Sequence, residues 1–182
     1  MDRTTLNAQK CHLADLLEAI QRCTYFLDAS SRKLEWPLRA EKLIIEKRNV
    51  GLFETLAAIN ERFAKLQDTL AAAMRHASLL SGEPTDRFLK VLSFYEKVGV
   101  LESVEIWHLC RAKRNLAAHD YETDYTEIAE HFNALHQLSP VLYRAAGRFT
   151  DYCRETLSIK PAASDFKDDF KTIVDISCLI KK

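Results

Sequence analysis

Glycine and proline are scarce, with four of each in 182 residues. So few chain breakers leave little material for β-turns and predict long, uninterrupted helices. No apolar run approaches the ~20 residues that a membrane span needs. The start, Met1 to Thr5, leads into an amphipathic pattern rather than an apolar leader core. Net charge is also lacking, because 26 basic residues offset 26 acidic ones. That argues against a protein that coats nucleic acid broadly, while a local basic pocket stays open. The five cysteines, at positions 11, 23, 110, 153 and 178, are odd in number and contain no Cys-x-x-Cys pair. Neither a disulfide framework nor a zinc site fits them, and free thiols in a reducing cytoplasm are expected. No glycine-rich phosphate loop, Gly-x-Ser-x-Gly elbow or Gly-Ser…Asp-x-Asp nucleotidyltransferase pattern occurs. The chain is therefore not expected to bind a nucleoside triphosphate on its own, nor to be a transferase.

What is present is the composition of an ordinary globular protein, 47% hydrophobic and 29% charged, long enough to bury a core as one domain. A first helix is expected over about residues 5–34, with Leu6, Leu13, Leu16, Leu17, Ile20, Thr24 and Leu27 as its apolar stripe. Trp36-Pro37 ends it. A second, over about 38–80, carries Leu52, Leu56, Ile59, Phe63, Leu66, Leu70, Ala73 and Ala77 at helical spacing, with Gly51 as a break or kink. Ser81-Gly82-Glu83-Pro84 is a stop signal. A third runs from Pro84 or Thr85 to Lys97, capped by Gly99. A fourth covers about 102–118, with Ile106, Leu109, Cys110, Leu116 and Ala117 inward. A fifth starts at an Asp124 cap and runs to about Leu157, kinked or split by Pro140. Residues 158–182 form a tail: a Pro161–Ser164 linker, then either a short amphipathic helix with Phe166, Phe170, Ile173 and Val174 on one side, or an extended arm. The fold class is thus an all-α antiparallel bundle of about five helices over 1–157. Its unusually long helices suggest a symmetric homodimer.

The chemistry concentrates at Arg111-Ala112-Lys113-Arg114-Asn115-Leu116-Ala117-Ala118-His119-Asp120-Tyr121. Trp107, Arg111, Arg114, Ala118 and Tyr121 follow alternating steps of four and three, so they share one helix face. Arg114 and His119 are five apart and diverge on a continuous helix. They converge only if the helix loosens near Ala117, or if a second copy completes the pocket. Arginine offers a permanent charge and a planar fork that suits phosphate. Histidine offers a proton donor or acceptor near neutral pH.

Arg114-Asn115-x-x-x-His119-x-Tyr121 resembles the Arg-x-x-x-x-His-x-Tyr signature of HEPN domains, in particular the HepT-like branch. The approach from Phe94-Tyr95-Glu96-Lys97-Val98-Gly99-Val100-Leu101 through a helix into Arg114 is similar too. The likeness spans about residues 1–157. It implies a ribonuclease toxin acting without metal or other cofactor. Arg114 would hold the scissile phosphate, His119 would serve as acid or base, and Asn115 would position them. Two such tips meeting across a dimer would supply the base, the acid and the charge that stabilises the transition state. The products would be 2′,3′-cyclic phosphates. Tyr121 would be the site that an MNT-type nucleotidyltransferase antitoxin modifies with AMP, adding negative charge beside the arginines.

Plainer alternatives stand beside these expectations. Arg114 can pair with a nearby carboxylate, His119 can cap a helix end, and Tyr121 can stack on Trp107 or Arg111. Arg111 and Lys113 extend the basic tip, yet charges on helix surfaces are commonly just solvated. Trp107 fits an interfacial core better than a base-stacking platform, and His108 reads as structural. Glu127 and His131, four apart, fit an ordinary helical contact better than a metal pair. A regulatory or substrate-binding subunit of a nucleotidyltransferase, without nuclease activity, is the main rival function. A helical interaction protein is the third.

Overall fold

The computed structural model describes residues 3–115 and 124–179, and all regular structure among them is helical. Seven helices follow in order: α1 (Arg3–Ser31), α2 (Ala40–Ile45), α3 (Val50–Leu80), α4 (Phe88–Lys97), α5 (Val104–Asn115), α6 (Tyr125–Thr156) and α7 (Lys167–Leu179). The two beyond the expected five come from the split of the second helix and from the tail. The split falls at residues 46–49, just before Gly51. Asn49 causes it, because its side-chain oxygen accepts from Leu52 N at 3.1 Å and so caps a fresh helix start. Pro140 lies inside α6 and does not split it.

The third helix starts later than expected, α4 opening at Phe88 rather than at Pro84 or Thr85, while the Asp124 and Gly99 signals act where expected. Asp124 caps α6 by accepting from Thr126 N at 2.8 Å. Gly99, at φ 77°, closes α4. There Val100 N reaches Tyr95 O at 2.8 Å and Gly99 N reaches Glu96 O at 3.0 Å, a paired C-terminal cap that satisfies two otherwise orphaned carbonyls.

The core lies where helices α1, α3 and α6 meet. Leu13, Leu17, Ile20 and Leu27 of α1 pack with Ile59, Phe63, Leu66 and Leu70 of α3 and with Leu142, Ala146 and Phe149 of α6, all buried. Tyr95, at the end of α4, is buried among them; its hydroxyl donates to Met74 O at 3.2 Å. A smaller cluster of Leu38, Leu43, Leu52, Leu56 and Ala129 covers the α2 end.

The tail is helix α7, and it packs on α1 and α6. Phe170 and Ile173 join the main core. Three local features seat it. The connector is tied to α1 by Ala162 N donating to Ala14 O at 3.1 Å. Gly147 lets the helices close up, since a β-carbon there would stand 2.6 Å from Val174 Cγ1. Arg144, only 6% exposed, donates through Nη1 to Ser177 O at 2.9 Å and through Nε to Glu102 Oε1 at 2.6 Å.

Candidate anion-binding cleft

On α3, residues Gln67, Asp68, Ala71, Ala72 and Arg75 recur in steps of one and three, and so form one stripe facing α5. Trp107, Arg111 and Arg114 form the matching stripe on α5. Phe88, the first residue of α4, closes one side. Together they line a cleft of about 280 Å³. The two alanines keep it open, because their short side chains leave the space that larger residues would fill.

Polar bonds set its walls. Gln67 donates from Nε2 to Trp107 O at 2.9 Å, tying α3 to α5. Its Oε1 is buried and accepts from none of the described residues. Arg114 Nη1 donates to Ala64 O at 3.0 Å and to Asp68 Oδ1 at 2.7 Å. Nε and Nη2 of Arg114 make no hydrogen bond among the described residues. The Arg114 side chain is 14% exposed while that of Asp68 is 63% exposed. An exposed pair of this kind contributes only about 0.2–1 kcal/mol, so a strongly charged ligand can compete with Asp68 for the guanidinium. Arg75 lies 5.1 Å from the Phe88 ring centre, a cation–π contact that orients it on the rim. Three guanidinium groups beside aromatic surface make a cleft suited to phosphate and to an adjoining base.

The sequence-based expectations meet this geometry unevenly. Arg111 is exposed and Lys113 half-buried on α5, and Arg114 lines the cleft. Asn115 ends α5. His119 and Tyr121 lie outside the described residues. On the inward face of α5, Cys110 is buried and Ile106 half-buried as expected, and Trp107 is buried too, but Leu109 is 45% exposed; Leu116 and Ala117 lie outside the described residues. The cause is α3, whose cleft-facing stripe takes Trp107 as a wall and turns Leu109 outward. His108 is exposed as well, which removes it from any structural role in the core.

The residues missed in the sequence are Gln67, Asp68, Arg75 and Phe88. The signal was slight: a glutamine and an aspartate inside a long apolar repeat, on the side of α3 that the leucine stripe leaves out. Among the described residues, no group of three or more His, Cys, Asp or Glu side chains could hold a metal ion. Burial pushes the Cys110 and Cys153 thiols up to about 12, so neither is a ready nucleophile. His131 packs edge-on against Phe132. His136 stacks on Trp36 with ring centres 4.1 Å apart, and its Nδ1 lies 3.0 Å from Ser31 Oγ. Burial holds the His136 imidazole below its ordinary value. No family model, curated protein or solved structure matches the chain.

Proposed function

We propose that this chain is a HEPN-like endoribonuclease toxin of the HepT type, acting as a homodimer on RNA without a metal and held in check by an MNT-type nucleotidyltransferase. The observation that supports it most directly is the cleft itself, where Arg75, Arg111 and Arg114 gather beside Trp107 and Phe88 in a protein of zero net charge. In the proposed reaction, a base takes the proton of the ribose 2′-hydroxyl and its oxygen attacks the adjacent phosphorus. Arg114 carries the growing charge on the phosphoryl oxygens. The bond to the 5′-oxygen breaks and an acid protonates that oxygen, leaving a 2′,3′-cyclic phosphate. His119 from two protomers supplies base and acid. Arg111 and Lys113 hold flanking phosphates, Asn115 positions the pair, and AMP on Tyr121 blocks the anion.

A second function is favoured by the two bonds that Arg114 makes. Arg114 is already engaged by Asp68 and by Ala64 O, as in a binding module where the arginine braces α5 on α3. That corresponds to a non-catalytic subunit of a nucleotidyltransferase. The experiment is cleavage of total RNA and tRNA by purified protein in EDTA, with wild type beside Arg114→Ala and His119→Ala. Cyclic-phosphate ends from wild type and inert mutants support the nuclease. A folded, tyrosine-unmodified wild type that cuts nothing removes it and leaves the binding role.

A further inference from the structure

A second and larger cavity, about 650 Å³, lies between α6, α7 and the connector that precedes α7. The arginine cleft shares none of its lining residues. Its size is within the range that holds small organic ligands. Its lining includes the Asp151–Arg154 ion pair and, beside it, three kinds of group. Phe170 and Val174 of α7 supply apolar surface. Lys160, Lys167 and Lys171 stand exposed around it, and none of their side chains has an ion pair or hydrogen bond among the described residues. Gln21 of α1 reaches it from the core side, only 3% exposed. Its Oε1 is buried and accepts from none of the described residues.

Each group narrows the ligand. An unpartnered carboxamide oxygen requires an N–H or O–H donor. A carboxamide also offers acceptor and donor side by side, the pattern that pairs with the amino edge of a nucleobase. Phe170 provides a surface against which a flat ring can lie. Unpaired lysines are compact point charges that bind phosphate. The remaining cation, Arg154, is already held by Asp151 at 2.7 Å and Glu155 at 2.9 Å, so the lysines carry the attraction. One phosphate needs no glycine-rich loop, which agrees with the absence of such a loop from the sequence.

From this geometry we infer that the α6–α7 cavity binds a nucleoside monophosphate, with the amino edge of its base on Gln21, its ring against Phe170 and its phosphate among Lys160, Lys167 and Lys171. This inference is independent of the ribonuclease proposal. Because α7 forms one wall, the ligand would brace the tail helix against α6.

Isothermal titration of the full chain with AMP tests it, with adenosine and inorganic phosphate as separate probes. AMP is expected to bind with a Kd of about 1 mM or tighter, and each fragment at least about tenfold more weakly. Lys171→Glu, a change on an exposed side chain that leaves the core alone, should weaken AMP about tenfold, and Gln21→Leu by a similar factor. Arg111→Ala should leave AMP affinity unchanged. The inference is overturned by no saturable binding up to about 10 mM AMP, or by phosphate binding as tightly as AMP. Indifference to Lys171→Glu or loss of binding in Arg111→Ala, which would move the nucleotide to the other cleft, overturns it as well.

Discussion

Arg144 and Arg114 are both long cations on helices that face neighbouring helices, and they differ in what surrounds them. Arg144 is 6% exposed and has a carboxylate on Nε and a main-chain carbonyl on Nη1. Its carboxylate partner Glu102 has a side chain only 15% exposed, so the pair sits where water cannot replace either member. Arg114 has the same two kinds of partner, a carboxylate and a main-chain carbonyl, but its aspartate stands mostly in water and its other donors face a cleft. One set of bonds therefore fastens α7 to the bundle, and the other leaves a charge that can be claimed by a ligand. Burial of the counter-ion, rather than the number of hydrogen bonds, separates a structural arginine from an available one.

Substitutions can break this contrast, and the largest effect belongs to the buried side. Arg144→Ala should cost about 3–5 kcal/mol, because it leaves Glu102 and the Ser177 carbonyl without their main donor. In thermal unfolding that is a fall of roughly 6–20 °C for a chain of this size. Replacing both charges, Arg144→Met with Glu102→Gln, should recover part of the loss. No recovery would mean that the pair is not the source of the effect. Next, Gly147→Ala should destabilise by about 1–3 kcal/mol by pushing Val174, and adding Val174→Ala should restore most of it. Gly99→Ala follows at about 1 kcal/mol, since its φ of 77° suits glycine alone; denaturant midpoints measure both.

On the cleft side, Arg114→Ala should change stability by no more than about 1 kcal/mol and, under the proposed ribonuclease function, still weaken RNA binding in a filter or fluorescence assay. Asp68→Asn sharpens the comparison, because it frees the guanidinium and should tighten RNA binding a few-fold. A loss of affinity in Asp68→Asn would show that Asp68 positions Arg114 rather than competing with the ligand.

The smallest expected effect is a pH dependence at His136. Its folded-state value lies below the ordinary 6.5 because burial disfavours the charged ring. The unfolded chain therefore takes up the proton first as pH falls through 6.5, and the stability held by the neutral ring above that pH is lost across the window just below it. His136→Gln should flatten the unfolding midpoint between pH 7 and pH 5. Asp28 acts with the opposite sign at more acid pH. Burial raises its carboxyl against the opposing pull of Arg32, so protonation there favours the fold.

Helices were legible because periodicity and punctuation are local. The stripe from Leu52 to Ala77, the Asp124 cap and the Gly99 terminus each need only neighbours within one or two turns. Gly51 marked a break in the second helix, but the Asn49 cap that makes it was not legible, because it depends on a side-chain rotamer that composition does not reveal. Half of the cleft was legible on the same terms: Trp107, Arg111 and Arg114 fall on one face by spacing alone. The other half was not. Gln67, Asp68 and Arg75 are ordinary polar residues on a long helix until α5 is laid across them.

The sequence by itself determined that the described residues are helical, most of their helix ends and a basic stripe on α5, because those follow from backbone rules and side-chain period over short distances. Only the tertiary structure decided that the tail becomes α7 on α1 and α6, that Leu109 turns outward, and that the carboxylate Arg114 meets is Asp68. Those outcomes depend on which faces of distant helices are brought together to bury the most apolar surface, and no local rule specifies that pairing.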